Sequence, residues 1–303
     1  MKLEPIRAAL PHAPQAEAKN NTAGSRLWSA FWQEFCPEDE PHERCHIPGD
    51  GQQVADRHWR DFADRLPREA KIIDLGCGAG IVGRLLLNHR PDLRVTGVDF
   101  ADVPALSVPN LTVHPWTCME ELPFERGSFD AAISLFGIEY GNIDRAAREL
   151  GRVMKPGARF SFLTHHRDSE IACEGRTRQT ALRTLLSERV RRAFLAGSVT
   201  ETDRQLGRLR SQFPGEPSIA LFSTYIRKNL ASSSKERQAI WQGMLDALEP
   251  EIALLSLLEG STKSAAELGA WLPPLLSIMR GVSITVLRRG SGQPIAWHVA
   301  GVR

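Results

Sequence analysis

The residues with the clearest chemical potential are Asp74-Leu75-Gly76-Cys77-Gly78-Ala79-Gly80, followed by Asp99 at the end of Val95-Thr96-Gly97-Val98-Asp99. Glycines between a strand and a helix let the backbone approach a ligand closely. An acidic side chain about 20 positions further on can accept hydrogen bonds from both hydroxyls of a ribose. That pair of features predicts a nucleoside cofactor. Two kinds compete, because Gly78-Ala79-Gly80-Ile81-Val82-Gly83 also has the G-x-G-x-x-G spacing of a dinucleotide site. Charge separates them: the Asp74 carboxylate repels a pyrophosphate but favours the sulfonium and ammonium of S-adenosylmethionine.

Ligands of open α/β sheets lie at the carboxyl ends of the strands. This directs attention to Phe136, Gly137, Glu139 and Tyr140 after one strand and to His165-His166 after the next. An imidazole or carboxylate there can take a proton near neutral pH, so Glu139 and His165 are the candidate catalytic residues, with His166 as an alternative. Cys36, His42, Cys45 and His46 include zinc-ligating residue types, but their spacing lacks a paired C-x2-C and adjacent Cys45 and His46 point apart. A solvated loop is expected there, and no metal.

These residues need a scaffold. Trp28, Phe31, Trp32 and Phe35 recur at i, i+3, i+4, i+7, which predicts a short helix with an aromatic face. Val54, Trp59, Phe62 and Leu66 predict a second helix ending before Pro67. From Lys71 strands alternate with helices: Ile72–Leu75, a helix from Val82 to Leu87, Leu93–Val98, Leu111–Val113, Ala131–Leu135, a helix over Ile143–Met154, and Arg159–Thr164 after Lys155-Pro156-Gly157. Such alternation implies a parallel sheet covered on both faces. About 115 residues of helical periodicity follow, with S-x-x-E capping signals at Ser198/Glu201, Ser233/Glu236 and Ser264/Glu267. Pro214, Pro217, Pro250 and Pro273-Pro274 are expected to separate or end helices. Ser283–Leu287 and Pro294–Val299, flanking Gly290-Ser291-Gly292, predict a closing hairpin at the sheet's edge.

The expected fold is therefore α/β, a doubly wound Rossmann-like sheet with a closing antiparallel hairpin. Four segments are expected: an N-terminal arm and helical cap (1–70), a cofactor-binding core (71–165), a helical lid insertion (166–280) and the C-terminal hairpin (281–303). The lid is expected to wall the acceptor pocket.

Composition agrees with a globular chain: of 303 residues, 42% are hydrophobic and 24% charged, and the net charge is +2. That balance gives no global drive toward nucleic acid or anionic membranes. No apolar run reaches the roughly 18 residues of a membrane span, and residues 1–20 lack the apolar stretch of a secretory signal. Five scattered cysteines argue for reduced thiols, and a cytoplasmic location is expected.

Asp74–Gly80, Asp99, Leu122-Pro123-Phe124 with Ser128-Phe129-Asp130, and Arg152-Val153-Met154-Lys155-Pro156-Gly157 occur in an order and at a spacing that resemble class I S-adenosylmethionine-dependent methyltransferases, especially the group that includes ubiquinone and menaquinone biosynthesis enzymes. The resemblance covers roughly residues 70–165. It implies S-adenosyl-L-methionine as cofactor, with Gly76, Gly78 and Gly80 beside its methionine part and Asp74 close by. It further implies Asp99 on the ribose, Phe100 against the adenine, and Cys118, Met119 and Phe136 completing the cofactor site. Cys118 departs from the pattern, since the position four before Leu-Pro-Phe is commonly acidic and contacts the adenine amine. Either a backbone carbonyl or Glu120 compensates, or cofactor affinity is lower.

The function implied is methyl transfer to oxygen, nitrogen or carbon of a small organic acceptor. Three alternatives remain at this point: an RNA acceptor, suggested by Arg189, Arg191, Arg192, Arg204, Arg208 and Arg210 in the insertion; a catalytically silent relative, suggested by Cys118; and, last, a dehydrogenase, suggested by the spacing of Gly78, Gly80 and Gly83. Oligomeric state is left open by the sequence.

Overall fold

A computed structural model describes residues 22–35, 47–104 and 106–303. The Cys36, His42, Cys45 and His46 stretch and the N-terminal arm lie outside the described residues.

Two compact units are formed. Among the described residues, one holds 22–172 together with Ser261–Arg303, and the other is Cys173–Gly260. The first contains helices α1 (Ala23–Phe35) and α2 (Gly51–Asp64), then β1 (Lys71–Leu75), α3 (Ile81–His89), β2 (Arg94–Val98), β3 (Leu111–His114), β4 (Phe129–Leu135), α4 (Ile143–Val153) and β5 (Met154–His165). Helix α5 (Glu170–Leu185) leads into the second unit, where α6 (Glu188–Leu195), α7 (Val199–Gln212) and α8 (Pro217–Lys228) follow. Helix α9 (Ser234–Ser261) leads out of it. Short helices α10 (Ala265–Trp271) and α11 (Pro273–Leu276) then precede β6 (Arg280–Arg288) and β7 (Pro294–Val302).

The seven strands are ordered β3-β2-β1-β4-β5-β7-β6. The first five are parallel, and β7 runs antiparallel to both β5 and β6. Side chains alternate across a strand, so neighbouring Ile72 and Ile73 enter different cores. Ile72 joins Trp59, Phe62, Val82 and Leu86 under α2 and α3, while Ile73 joins Leu150, Phe160, Phe162, Leu275 and Met279 under α4 and α11. Both residues are fully buried, which explains the near-continuous apolar character of β1. The hairpin β6–β7 joins the sheet at its edge, as the sequence predicts.

Three local expectations change. Lys155-Pro156-Gly157 falls inside β5 rather than before it: Phe129 pairs with Met154, the register shifts, and Ala131 then pairs with Arg159. A bulge absorbs the turn-forming residues. Strand β6 begins at Arg280, earlier than Ser283, with its own register shift between Arg280 and Ser283. Pro250, expected to end a helix, lies within the continuous α9. A mid-helix proline costs about 3 kcal/mol. Trp241, Met244 and Leu248 before it belong to the core of the Cys173–Gly260 unit, and the partly buried Ile252 and Leu255 after it pack against that core. Burial at about 1.5–3 kcal/mol per large side chain outweighs that cost.

The capping signals hold. Ser264 and Glu267 form a reciprocal capping box on α10, and Ser198 Oγ accepts from the Glu201 amide at the start of α7. The Glu236 amide likewise donates to Ser233 Oγ.

Candidate active site

Strand order reverses around β1, whose neighbours are β2 on one side and β4 on the other. Loops leaving β1 and β4 therefore part above the sheet, and a cleft opens at this switch point. Trp28, Trp32, Gly76, Val98, Asp99, Phe100, Thr117, Cys118, Met119, Glu120, Phe136, Gly137, Tyr140 and Gly141 line it.

The floor depends on close backbone approach. Gly76 has φ +65°, and a Cβ added there would stand 2.7 Å from Gly137 Cα. The loop after β1 thus touches the exit of β4 with no room for a side chain. Gly78, at φ +50°, lies against an aromatic ring: a Cβ there would be 2.2 Å from Trp32 Cζ2. Gly80 is the left-handed N-cap of α3.

Asp99 ties the floor together. Its Oδ2 accepts from the Gly78 amide at 2.8 Å and its Oδ1 from the Ala101 amide at 2.9 Å. Each carboxylate oxygen has two lone pairs, so both keep capacity for a ligand hydroxyl. Burial pushes this carboxyl up to about 6 against three backbone hydrogen bonds that pull it down. Asp74, only 2% exposed, is pushed up to about 7 by burial and by the Asp99 charge. Two buried carboxylates beneath a glycine floor hold their charges more easily when a cation sits above them.

The opposite wall is clamped by the motif residues. Arg152 donates to the carbonyls of Leu122 at 2.8 Å and Phe124 at 2.5 Å, and its other donors meet Glu149 at 2.6–2.8 Å. Glu149 Oε2 also accepts from the Leu122 amide at 2.8 Å. Arg152 and Leu-Pro-Phe thus form one bidentate, charge-assisted staple that fixes the segment carrying Cys118, Met119 and Glu120. Asp130 joins a second staple, accepting from Lys155 at 2.7 Å and from the Lys71 amide at 3.0 Å. Glu120, offered by the sequence as a substitute for the missing acidic residue, accepts from the Asn142 amide at 2.7 Å with Oε1 while still lining the cleft.

Six of the expected cofactor residues line the cleft: Gly76, Asp99, Phe100, Cys118, Met119 and Phe136. Asp74, Gly78 and Gly80 form its foundation. Glu139 and His165 come together one layer behind. Glu139 Oε1 accepts from the His165 amide at 2.8 Å, and its buried Oε2 has no hydrogen-bond partner among the described residues. Burial pushes Glu139 up to about 7, with the nearby Lys263 opposing. The His165 ring stacks on Phe136 at 4.1 Å, and burial lowers it to about 3, so it is neutral at physiological pH. Phe136 itself has φ +54°, a left-handed conformation at the strand end that a bulky residue rarely adopts. His166 turns away, stacked on Trp297 at 4.5 Å, with Nδ1 accepting from the Asp168 amide.

Sequence reasoning gave Trp28 and Trp32 a helix but no role, and both line the cleft. Helix α1 is fixed to the loop after Asp99: the Asp102 amide donates to Ser29 Oγ at 2.8 Å, and Gln33 Nε2 donates to Asp102 Oδ2 at 2.9 Å. The signal was present in the i, i+4 repeat of Ser29 and Gln33 beside that of Trp28 and Trp32. Among the described residues, no cluster of His, Cys, Asp or Glu could hold a metal ion, and no helix is long and apolar enough to cross a membrane.

The arrangement fits S-adenosylmethionine better than a dinucleotide. Among the described residues, no lysine or arginine lines the cleft to meet a pyrophosphate, and its floor rests on two carboxylates.

Comparison with known proteins agrees. Residues 73–162 match the family described as a methyltransferase domain. A mitochondrial 2-methoxy-6-polyprenyl-1,4-benzoquinol methylase of Caenorhabditis elegans is 30% identical over 123 residues, which is 35% of this chain and 43% of that protein. A malonyl-[acyl-carrier protein] O-methyltransferase of Herminiimonas arsenicoxydans is 34% identical over 124 residues, 39% of this chain and 45% of that protein. A solved S-adenosylmethionine-dependent methyltransferase from Mesorhizobium loti is 26% identical with a TM-score of 0.32, covering 40% of this chain and 56% of that one. The chain spans about half the length, or less, of these curated relatives. The matched segment carries the glycine loop, Asp99 and both staples, so residues 73–162 form a methyltransferase domain.

Proposed function

We propose that the protein transfers the methyl group of S-adenosyl-L-methionine to a small organic acceptor that carries no anionic group near its reacting atom. One observation carries this reading: a cleft at the switch point of the sheet, floored by Gly76 and Asp99 and walled by Trp28, Trp32, Phe136 and Tyr140, with no basic residue lining it among the described residues. An aromatic, uncharged wall suits a flat, apolar acceptor of the phenol or quinol type better than a carboxylate, which needs a cationic partner.

In this reading Asp99 holds the ribose hydroxyls, Phe100, Cys118 and Met119 surround the adenine, and the methionine part lies beside the Gly76–Gly80 loop near Asp74. When bound, the cofactor supplies an electrophilic methyl on a positively charged sulfur. The chain's own task is alignment and exclusion of water, which Trp28, Trp32 and Tyr140 perform as a hydrophobic roof.

For a hydroxyl-bearing acceptor, Glu139 is the base that receives the proton by way of one intervening water, since it stands one layer behind the lining, and its raised pKa suits that role near neutral pH. His165 is a positioning residue, since its amide holds Glu139 Oε1 and its ring backs Phe136. The test is incubation with methyl-labelled cofactor and a panel of neutral phenols, quinols and amines beside carboxylic acids and tRNA. Label in a neutral acceptor is expected. Label only in carboxylates or tRNA refutes the acceptor class, and Glu139→Gln should lower kcat most for hydroxyl acceptors while leaving cofactor affinity intact.

A further inference from the structure

We propose that Trp32, with Trp28 and Tyr140, is a charge-selecting roof that makes the site prefer the sulfonium form of the cofactor over its neutral thioether product, S-adenosylhomocysteine. The inference rests on the methyltransferase reading above and adds a specificity role for three rings to it.

Three observations support it together. First, the rings form a continuous surface: Trp28 stacks on Trp32 with centroids 6.4 Å apart and meets Tyr140 edge-on at 5.3 Å. Second, Trp32 packs on the glycine loop, with ring atom Cζ2 2.2 Å from where a Gly78 Cβ would stand, and also lines the cleft, so its ring adjoins the loop to which the reading above assigns the methionine end of the cofactor. Third, among the described residues that volume is lined by no lysine or arginine, and the carboxylates of Asp74 and Asp99 are buried beneath it.

Aromatic faces above and carboxylates below form an environment that stabilises a positive charge and gains nothing from a neutral sulfur. Helix α1 is tied to the loop after Asp99 by its own side chains. Ser29 and Gln33, one turn apart on the same helix, both bind Asp102, and Ser29 also donates to the Ser25 carbonyl at 2.7 Å.

The consequence follows from charge balance. When the acceptor's lone pair forms its bond to the methyl carbon, the carbon–sulfur electron pair stays on sulfur and the sulfonium charge disappears. The acceptor's proton, where it has one, goes to Glu139. The cation–π contribution of the roof is lost at that moment, so product binding weakens relative to donor and release is favoured.

The test is calorimetric titration of the full chain with S-adenosylmethionine and with S-adenosylhomocysteine, for wild type, Trp32→Leu and Trp32→Phe. A desolvated cation–π contact of this kind corresponds to roughly a five- to thirty-fold preference. Trp32→Leu is expected to lose that factor for the sulfonium while changing thioether affinity by less than about two-fold, and Trp32→Phe to keep most of the preference.

If Trp32→Leu fails to fold, protein labelled uniformly with trifluorinated tryptophan keeps ring shape but drains the π face. Its sulfonium affinity should fall selectively. Equal loss of both ligands, in either experiment, overturns the proposal and reduces Trp32 to a packing residue. Binding of neither ligand by the wild-type chain overturns the cofactor reading itself, and this inference with it.

Discussion

Gly76 and Gly127 provide a matched pair for testing how the cleft is built. Both have left-handed backbones, with φ +65° and +68°. They differ in space: a Cβ at Gly127 meets nothing within 4 Å, while one at Gly76 stands 2.7 Å from Gly137 Cα and 3.3 Å from its carbonyl carbon. Substituting alanine at either site costs about 1–2 kcal/mol for the left-handed conformation. Reduced freedom of the unfolded chain returns about 0.4–1 kcal/mol. Gly127→Ala should therefore destabilise by roughly 0–1.5 kcal/mol.

Gly76→Ala carries the same terms plus the forced separation of two backbone segments, for which overpacking of well-packed interiors suggests about 1–3 kcal/mol more. Urea denaturation measures the difference as a shift in midpoint at common slope. Because the separation would occur between the loop after β1 and the exit of β4, cofactor affinity should fall at least about tenfold in Gly76→Ala only. Equal stability of the two variants, or unchanged cofactor binding in Gly76→Ala, would refute the claim that close approach at Gly137 shapes the floor.

Three further outcomes follow from other parts of the molecule. Arg152→Met strands the Leu122 and Phe124 carbonyls and leaves Glu149 unpaired; a loss of about 2–4 kcal/mol in thermal or urea unfolding is expected, with weaker cofactor binding through the Cys118–Glu120 wall. His58 hydrogen-bonds Ser161 Oγ at 2.9 Å, and Ser161 Oγ lies 3.1 Å from His298; burial first, then His298 and Arg65, lower His58 from 6.5 to about 3. A depressed imidazole pKa means that stability is present above about pH 6.5 and is lost as pH falls toward 3, so urea midpoints should drop between pH 7 and 5, and His58→Gln should flatten that drop. Asp74 has the opposite sign: its carboxyl is raised from 3.8 to about 7, so the stability of the protonated form is full below 3.8 and lost as pH rises through 7. Asp74→Asn is therefore expected to raise the unfolding midpoint of the ligand-free protein at pH 8 while weakening binding of the cationic cofactor, and unchanged affinity would count against the carboxylate floor.

Much of the core was legible because its signals are local. The apolar run Ile72–Leu75, the glycines after it and Asp99 lie within 28 residues, and strand-end chemistry follows from the strand pattern alone. The motifs at Leu122–Phe124 and Arg152 were recognisable as a resemblance, but their physical role was not, because the guanidinium reaches the carbonyls across the gap between two elements.

Trp32 over Gly78 spans 46 positions, and nothing in a helical aromatic face tells which surface will receive it. The second-layer position of Glu139 and His165 was likewise hidden. It depends on Phe136 taking a left-handed backbone that places its ring over the histidine, a choice that sequence pattern does not encode. Pro250 shows the reverse failure, a strong local signal for helix termination overridden by apolar residues on both sides of it.

The most direct test of the central claim is calorimetric titration of the purified full chain with S-adenosylhomocysteine, with NAD in parallel. The structure predicts saturable binding of the former, lost in Asp99→Ala, and no heat from the latter. Binding of NAD alone, or S-adenosylhomocysteine binding that survives Asp99→Ala unchanged, would contradict the assignment of this cleft.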